Sequence, residues 1–146
     1  MAYQNILVPV DGSDTSFAAV KQAAELAKVF GSKITVVQVL ALDPYIAAEY
    51  ITAAQTNDLI ERARASIEGT LEDAKAKFGA EGLTVETRLL EGQMIHQEIL
   101  NAAKETNADL IVIGSHGRTG LKKFFLGSVA QKILGDTSVP VLVVRQ

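Results

Sequence analysis

The sequence predicts an α/β fold, a three-layer α/β/α sandwich around a five-stranded parallel sheet. Three observations carry that expectation. Four short aliphatic runs, Ile6–Val10, Ile34–Val39, Leu110–Ile113 and Val139–Val144, are rich in β-branched residues and barely alternate, as strands covered on both faces do. Stretches of helical period separate the strands, which favours parallel strands joined by crossover helices. Polar, glycine-rich residues gather where strands end, at Asp11-Gly12-Ser13 and at Gly114-Ser115-His116-Gly117.

Taken in chain order, the first strand is ILVPV, and a helix over Ser16–Phe30 follows it with Ala19, Ala23, Leu26 and Phe30 on one stripe. Ser13 or Asp14 supplies its N-cap and Gly31 its stop. The second strand is ITVVQV, and the stretch Ala41–Ile51, with Pro44, has no clear period. Thr52–Phe78 places Leu59, Ala63, Ile67, Leu71, Ala74 and Phe78 at spacings of 4, 4, 4, 3 and 4, with Gly69 as a point of bend or interruption. Leu83–Leu90 is a fifth strand whose apolar and polar residues alternate, which suits an edge with one wetter face. Helices over Met94–Glu105 and Ser128–Gly135 flank the fourth strand. No repeat, low-complexity tract or linker divides the chain, so one domain over residues 1–146 is expected. Strands alternating with helices imply right-handed crossovers, and the common strand orders put strand 1 at a switch point where ligands bind. In the order 3-2-1-4-5 the two glycine-rich strand ends become neighbours.

Composition narrows the chemistry. With 14 Lys+Arg against 17 Asp+Glu among 146 residues, the balance argues against a nucleic-acid or anionic-membrane surface. The absence of Cys excludes disulfides, Cys-ligated zinc, Fe–S clusters and a thiol nucleophile. Pro9 and Asp11 come too early for a signal peptide, and no apolar run approaches the roughly 18 residues of a membrane span. A soluble, cytoplasmic protein with no membrane insertion is expected.

The segment Gly114–Leu134, GSHGRTGLKKFFLGSVAQKIL, carries the chemistry. Gly114 and Gly117 follow a strand, nine residues intervene, and Gly127-Ser128 opens a helix. Glycines let backbone approach an anion, and the amides of Gly127, Ser128 and Val129 would lie at a helix N-terminus that favours phosphate. Ser128 adds a hydroxyl and can double as the N-cap. Turn formation and ordinary capping explain each glycine separately, but not their placement at the switch point. The segment is neither a Walker A loop nor a G-x-G-x-x-G dinucleotide turn, and G-x-S-x-G is absent around Ser115.

Other residues have two readings each. Asp11 is a partner for ribose hydroxyls or phosphate-bound Mg²⁺, or it caps the first helix together with Ser13. His116 touches phosphate or faces solvent, and His96 reads as a surface or capping residue. Arg118, Lys122 and Lys123 screen phosphate charge or form a solvated loop, which Phe124, Phe125 and Leu126 would pin to the core. Val39-Leu40 offers an apolar wall and backbone hydrogen bonds to a flat base, or is an ordinary strand end. VPVLVV would be an apolar edge, and such edges invite pairing, so a homodimer through Val139–Val144 is expected.

Together, ILVPVDGSDTSFAAV, DLIVIGSHGRTGLKKFFLGSVAQKIL and the terminal VPVLVV resemble the universal stress protein family, from Asn5 to Val144. The family's motif G-x2-G-x9-G-[ST] is met by Gly114, Gly117, Gly127 and Ser128. The resemblance implies a Rossmann-like fold of the adenine nucleotide alpha hydrolase-like kind, and the intact motif implies the ATP-binding type. By motif position, it implies that Gly117, Gly127, Ser128 and Val129 hold phosphates. Asp11, with Pro9 and Val10, would serve the nucleoside, Val39 the adenine, and Gly114 the ribose. His116 stands within the same motif. The implied ligand is ATP, ADP or AMP, with Mg, and the implied role is tolerance of starvation, oxidants and growth arrest. Against this regulatory reading stands an enzyme, a slow ATP hydrolase or nucleotidyl-transfer catalyst, for which only Asp11 and His116 are candidates. A phospho-receiver is excluded because strand 3 ends Leu90-Glu91 and the last strand lacks Lys. Flavin binding fits poorly with no Trp and three Tyr.

Overall fold

The computed structural model describes residues 2–41, 52–116 and 126–146. Gly117, Arg118, Lys122, Lys123, Phe124 and Phe125, and almost all of the stretch after the second strand, lie outside the described residues. The elements are β1 (Asn5–Pro9), α1 (Asp14–Phe30), β2 (Lys33–Ala41), α2 (Ala53–Ala80), β3 (Glu86–Gly92), α3 (Ile95–Glu105), β4 (Leu110–Gly114), α4 (Ser128–Asp136) and β5 (Val141–Val144). The sheet is five-stranded and parallel, in the order β3-β2-β1-β4-β5. Ile6 of β1 stands between Ile34 of β2 and Leu110 of β4.

The aliphatic runs are buried because both faces of the sheet are covered. On one face Ile6, Val8, Ile34, Val36, Leu110 and Val112 pack with Ala19, Ala23 and Ala27 of α1 and with Ile67, Leu71, Ala74 and Phe78 of α2. On the other, Leu7, Val37, Ile111 and Ile113 pack with Ile99, Ala102 and Ala103 of α3 and Ile133 of α4. Small residues on α1 let that helix sit close over the sheet. Its buried stripe runs through Ala19, Val20, Ala23, Ala24 and Ala27, so Leu26 and Phe30 fall on the flank of the core and not on its centre line.

The ends of α1 follow the residues expected to set them. The Ser13 side chain accepts the Ser16 N–H, and Gly31 ends α1 in the left-handed region at φ 68°. Thr52 and Gln55 form a reciprocal capping box at the start of α2. Gly69 does not interrupt α2. A side chain there would meet nothing, so this exposed glycine costs only the roughly 1 kcal/mol of a helical Gly. Leu59 is 53% exposed, and burial in α2 begins at Ile67. β3 starts at Glu86 instead of Leu83, because Leu83 and Val85 pack into the core ahead of the first ladder pair, Thr35 with Glu86. No helix among the described residues is long and apolar enough to cross a membrane.

Candidate functional site

β1 is short, and its end creates the site. The Val10 N–H donates to the Val37 carbonyl at 2.9 Å, after which the chain turns away through Gly12 at φ 83°. Both backbone polar groups of a residue in a parallel strand point to one side and repeat every second residue. Val39 therefore turns its N–H and C=O toward the side where β1 has already ended. That leaves a donor and an acceptor on the open edge of β2.

A cavity of about 460 Å³ occupies the space between the carboxyl ends of β1, β2 and β4. Val37, Val39 and Ile113 from the sheet, Ile95 and Ile99 from α3, and Val129 and Ala130 from α4 give it apolar walls. Asp11, Ser16, Ser115, His116 and Ser128 supply polar groups. Pro9, Val10, Asp11, Val39, Gly114, His116, Gly127, Ser128 and Val129 all line it, so the structure brings together nine of the ten residues singled out from sequence. The tenth, Gly117, lies outside the described residues.

The glycines earn their places by close packing. A Cβ at Gly114 would lie 2.8 Å from Thr15 Cγ2 and 3.1 Å from the Thr15 carbonyl oxygen, so β4 could not approach the first turn of α1. A Cβ at Gly127 would stand 3.2 Å from His116 Cα and 3.4 Å from the Ser115 oxygen. Gly127 has an ordinary φ of −61°, which makes space, and not backbone conformation, its reason.

The anion-binding geometry differs in detail from the expected one. The Gly127 N–H donates to Ser115 O at 2.7 Å and is spent. Gly127 is the N-cap, no side chain caps α4, and Ser128 is the first helical residue, so it does not double as the cap. The first helical hydrogen bond runs from Gln131 N–H to Gly127 O at 3.0 Å. The amides of Ser128, Val129 and Ala130 are left without intrahelical partners, one residue further on than the expected set. They sit at the positive end of the helix dipole, beside the Ser128 hydroxyl and on the cavity wall.

Asp11 serves the turn, since its Oδ1 accepts the Ser13 N–H at 2.9 Å. No donor among the described residues reaches its Oδ2. His116 is neither solvent-facing nor unoriented: Nε2 lies 3.2 Å from Thr15 Oγ1, and Nδ1 lies 3.1 Å from Ser115 Oγ. Both ring nitrogens are engaged by protein. His96 is a correction. It is 8% exposed, with Nε2 3.7 Å from Asp136 Oδ2, and ties the start of α3 to the end of α4. The described residues hold no cluster of three or more His, Asp or Glu fit for a metal ion.

Sequence reading missed Ser16, Val37, Gln38, Ile95, Ile99, Ile113, Ser115 and Ala130 on the cavity wall. Ile95 and Ile99, four residues apart at the start of a helix, were the available signal, since the first turn of α3 must stand near the strand ends.

Comparison with known proteins agrees with this architecture. The sequence profile described as the universal stress protein family matches residues 2–145. Universal stress protein MJ0531 of Methanocaldococcus jannaschii is 34% identical over 99% of this chain and 83% of its own length. The structure of the universal stress protein from Archaeoglobus fulgidus in complex with dAMP superposes with a TM-score of 0.71 at 28% identity, covering 99% of this chain and 100% of that one. A universal stress protein in complex with cAMP gives 0.73 at 27% identity, covering 99% and 98%.

Proposed function

The chain belongs to the universal stress protein family, and from that premise we propose that it binds an adenine nucleotide, ATP above all, in the cavity at the β1/β4 switch point. The observation that carries this reading is the uncapped start of α4, where the amides of Ser128, Val129 and Ala130 stand on the wall of a cavity with apolar sides and a polar end. Phosphate takes those amides and the Ser128 hydroxyl, and the adenine lies against Val39 with its donor–acceptor edge on the open backbone of β2. The ribose sits by Asp11 and Gly114. That relatives of the same fold are found with dAMP and cAMP supports an adenosine ligand.

Asp11, through Oδ2, would hold a magnesium ion carried on the phosphates, which would offset part of their charge. The output is regulatory or protective: nucleotide occupancy biases the conformation of a cytoplasmic stress-response protein. Slow ATP hydrolysis is the competing reading and requires a base for water. His116 has both ring nitrogens committed, which leaves Asp11 alone for that task and favours binding over turnover. Mass spectrometry of nucleotide released from the purified protein tests the proposal. ATP, ADP or AMP in near-stoichiometric amount is expected. An empty protein that also ignores added ATP in calorimetry would remove it.

The second half of the proposal is a homodimer through β5. Its edge is apolar over Val141–Val144, with Leu142 37% and Leu134 43% exposed, and an uncovered edge of this kind invites a partner strand. Leu142→Asp is expected to convert a dimer into a monomer in light scattering at micromolar concentration. A monomeric wild type would remove the dimer, and a dimer unaffected by this change would place the contact elsewhere.

A further inference from the structure

Thr15 is 2% exposed, and α1 does not use its hydroxyl, because Ser13 caps that helix. The hydroxyl instead stands between two side chains from distant parts of the chain. It donates to Gln146 Oε1 at 3.3 Å and meets His116 Nε2 at 3.2 Å. With the Gln146 carboxamide presenting its oxygen, which only accepts, the single hydroxyl proton of Thr15 goes to Gln146. The lone pair that remains on Oγ1 can be satisfied only by an N–H, which puts the proton of the neutral imidazole on Nε2. Nδ1 is then an acceptor, and the Ser115 hydroxyl, 3.1 Å away, donates to it.

We infer that Thr15 is a positioning residue for the nucleotide site, one that fixes the tautomer and orientation of His116 and through it the start of α4. The inference rests on the nucleotide reading for its functional consequence, though not for the tautomer itself. The chain of contacts is short. Gly127 has no side chain because it packs on His116 Cα, and its N–H is held by the Ser115 carbonyl at 2.7 Å. The next three residues carry the free amides. The imidazole, held at both ring nitrogens, anchors the His116 main chain on which Gly127 packs, so releasing the ring loosens the strand end that seats those amides. Thr15 also fills, with its methyl, the space that the missing Cβ of Gly114 leaves, so one side chain locks both the glycine and the histidine of the strand end.

The chain has two histidines, so ¹⁵N NMR of histidine-labelled protein reads the tautomer directly, with His96 as an internal control of the fold. At pH 7.5 the wild type should show His116 protonated on Nε2 and unprotonated on Nδ1. Thr15→Val keeps the shape and removes the hydroxyl. It should give mixed tautomers at His116, an unchanged His96 signal and AMP affinity lower by about tenfold, the scale of one lost buried hydrogen bond. Thr15→Ser should restore both the tautomer and the affinity to within about twofold. An Nδ1–H tautomer in the wild type, a Thr15→Val protein with unchanged tautomer and affinity, or a failure of Thr15→Ser to rescue would each overturn the inference. If the wild type bound no AMP, the nucleotide reading would fall, and the tautomer measurement alone would decide for or against Thr15.

Discussion

Gly127→Val should abolish measurable nucleotide binding, lowering affinity by about 100-fold or more, while the sheet stays folded. Its Cβ would sit 3.2 Å from His116 Cα and 3.4 Å from Ser115 O. Both neighbours are main chain at the end of a buried strand and cannot swing aside like a flexible side chain. Relief comes only by moving α4 outward, and overpacking of this kind costs about 1–3 kcal/mol. The same movement stretches the 2.7 Å bond from Gly127 N–H to Ser115 O and withdraws the three amides from the phosphate position. Calorimetry with AMP checks the affinity, and circular dichroism checks the fold. Wild-type affinity in a folded variant would show that the start of α4 tolerates displacement and does not hold the phosphate.

The largest effect on stability is expected at Phe78, the largest of the fully buried side chains. It sits near the end of α2 among Leu71, Ala74 and Val85, under the β2–β3 side of the sheet. Phe78→Ala removes a ring from a close-packed site and should cost about 3–5 kcal/mol, against roughly 5–15 kcal/mol for a whole domain. At roughly 2–4 °C per kcal/mol for a chain of this size, Tm should fall by roughly 10 °C. Phe78 lies on the sheet face opposite the cavity floor, so AMP affinity of the folded fraction should change by less than about twofold. A Tm shift of a degree or two would mean that the site collapses onto the missing ring.

The contrast between these two positions explains what the sequence could convey. Phe78 was legible because burial repeats with helical period, and Ile67, Leu71 and Ala74 share its stripe. The strands were legible for a similar reason, since near-continuous aliphatic runs mark β1, β2, β4 and β5 while β3 alternates. Their order came from the few arrangements open to alternating strands and helices, because β5 is an edge despite its apolar run. The cavity's location was legible because a switch point follows from strand order. What periodicity cannot express is which neighbour each polar group meets.

Gly127 looked like a free amide donor, yet its N–H belongs to Ser115, a partner twelve residues earlier. Its glycine identity comes from the approach of His116, a packing fact with no local signature. Ser128 looked like a cap because Ser precedes many helices, but the cap position fell one residue earlier and carries no side chain. His96 looked like a surface or capping residue because it stands at the start of a helix, and only tertiary packing brings Asp136 to it. His116 looked unoriented because Thr15, which meets its Nε2, lies about a hundred residues earlier in the chain, and the Ser115 hydroxyl beside it carries no signal of its own. Gly69 looked like a break because glycine is a poor helix former, and an exposed position absorbed it.

Amide chemical shifts report the central claim most directly, because most of the proposed ligand donors are backbone N–H groups that no side-chain substitution removes. A ¹⁵N–¹H spectrum of the protein titrated with ATP should show its largest shifts at Ser128, Val129 and Ala130, with Val39 also moving. Gly127, whose N–H is already bound to Ser115, should move less than these three. Saturating ATP that leaves Ser128, Val129 and Ala130 unmoved, or that shifts a different surface, would contradict nucleotide binding at the start of α4.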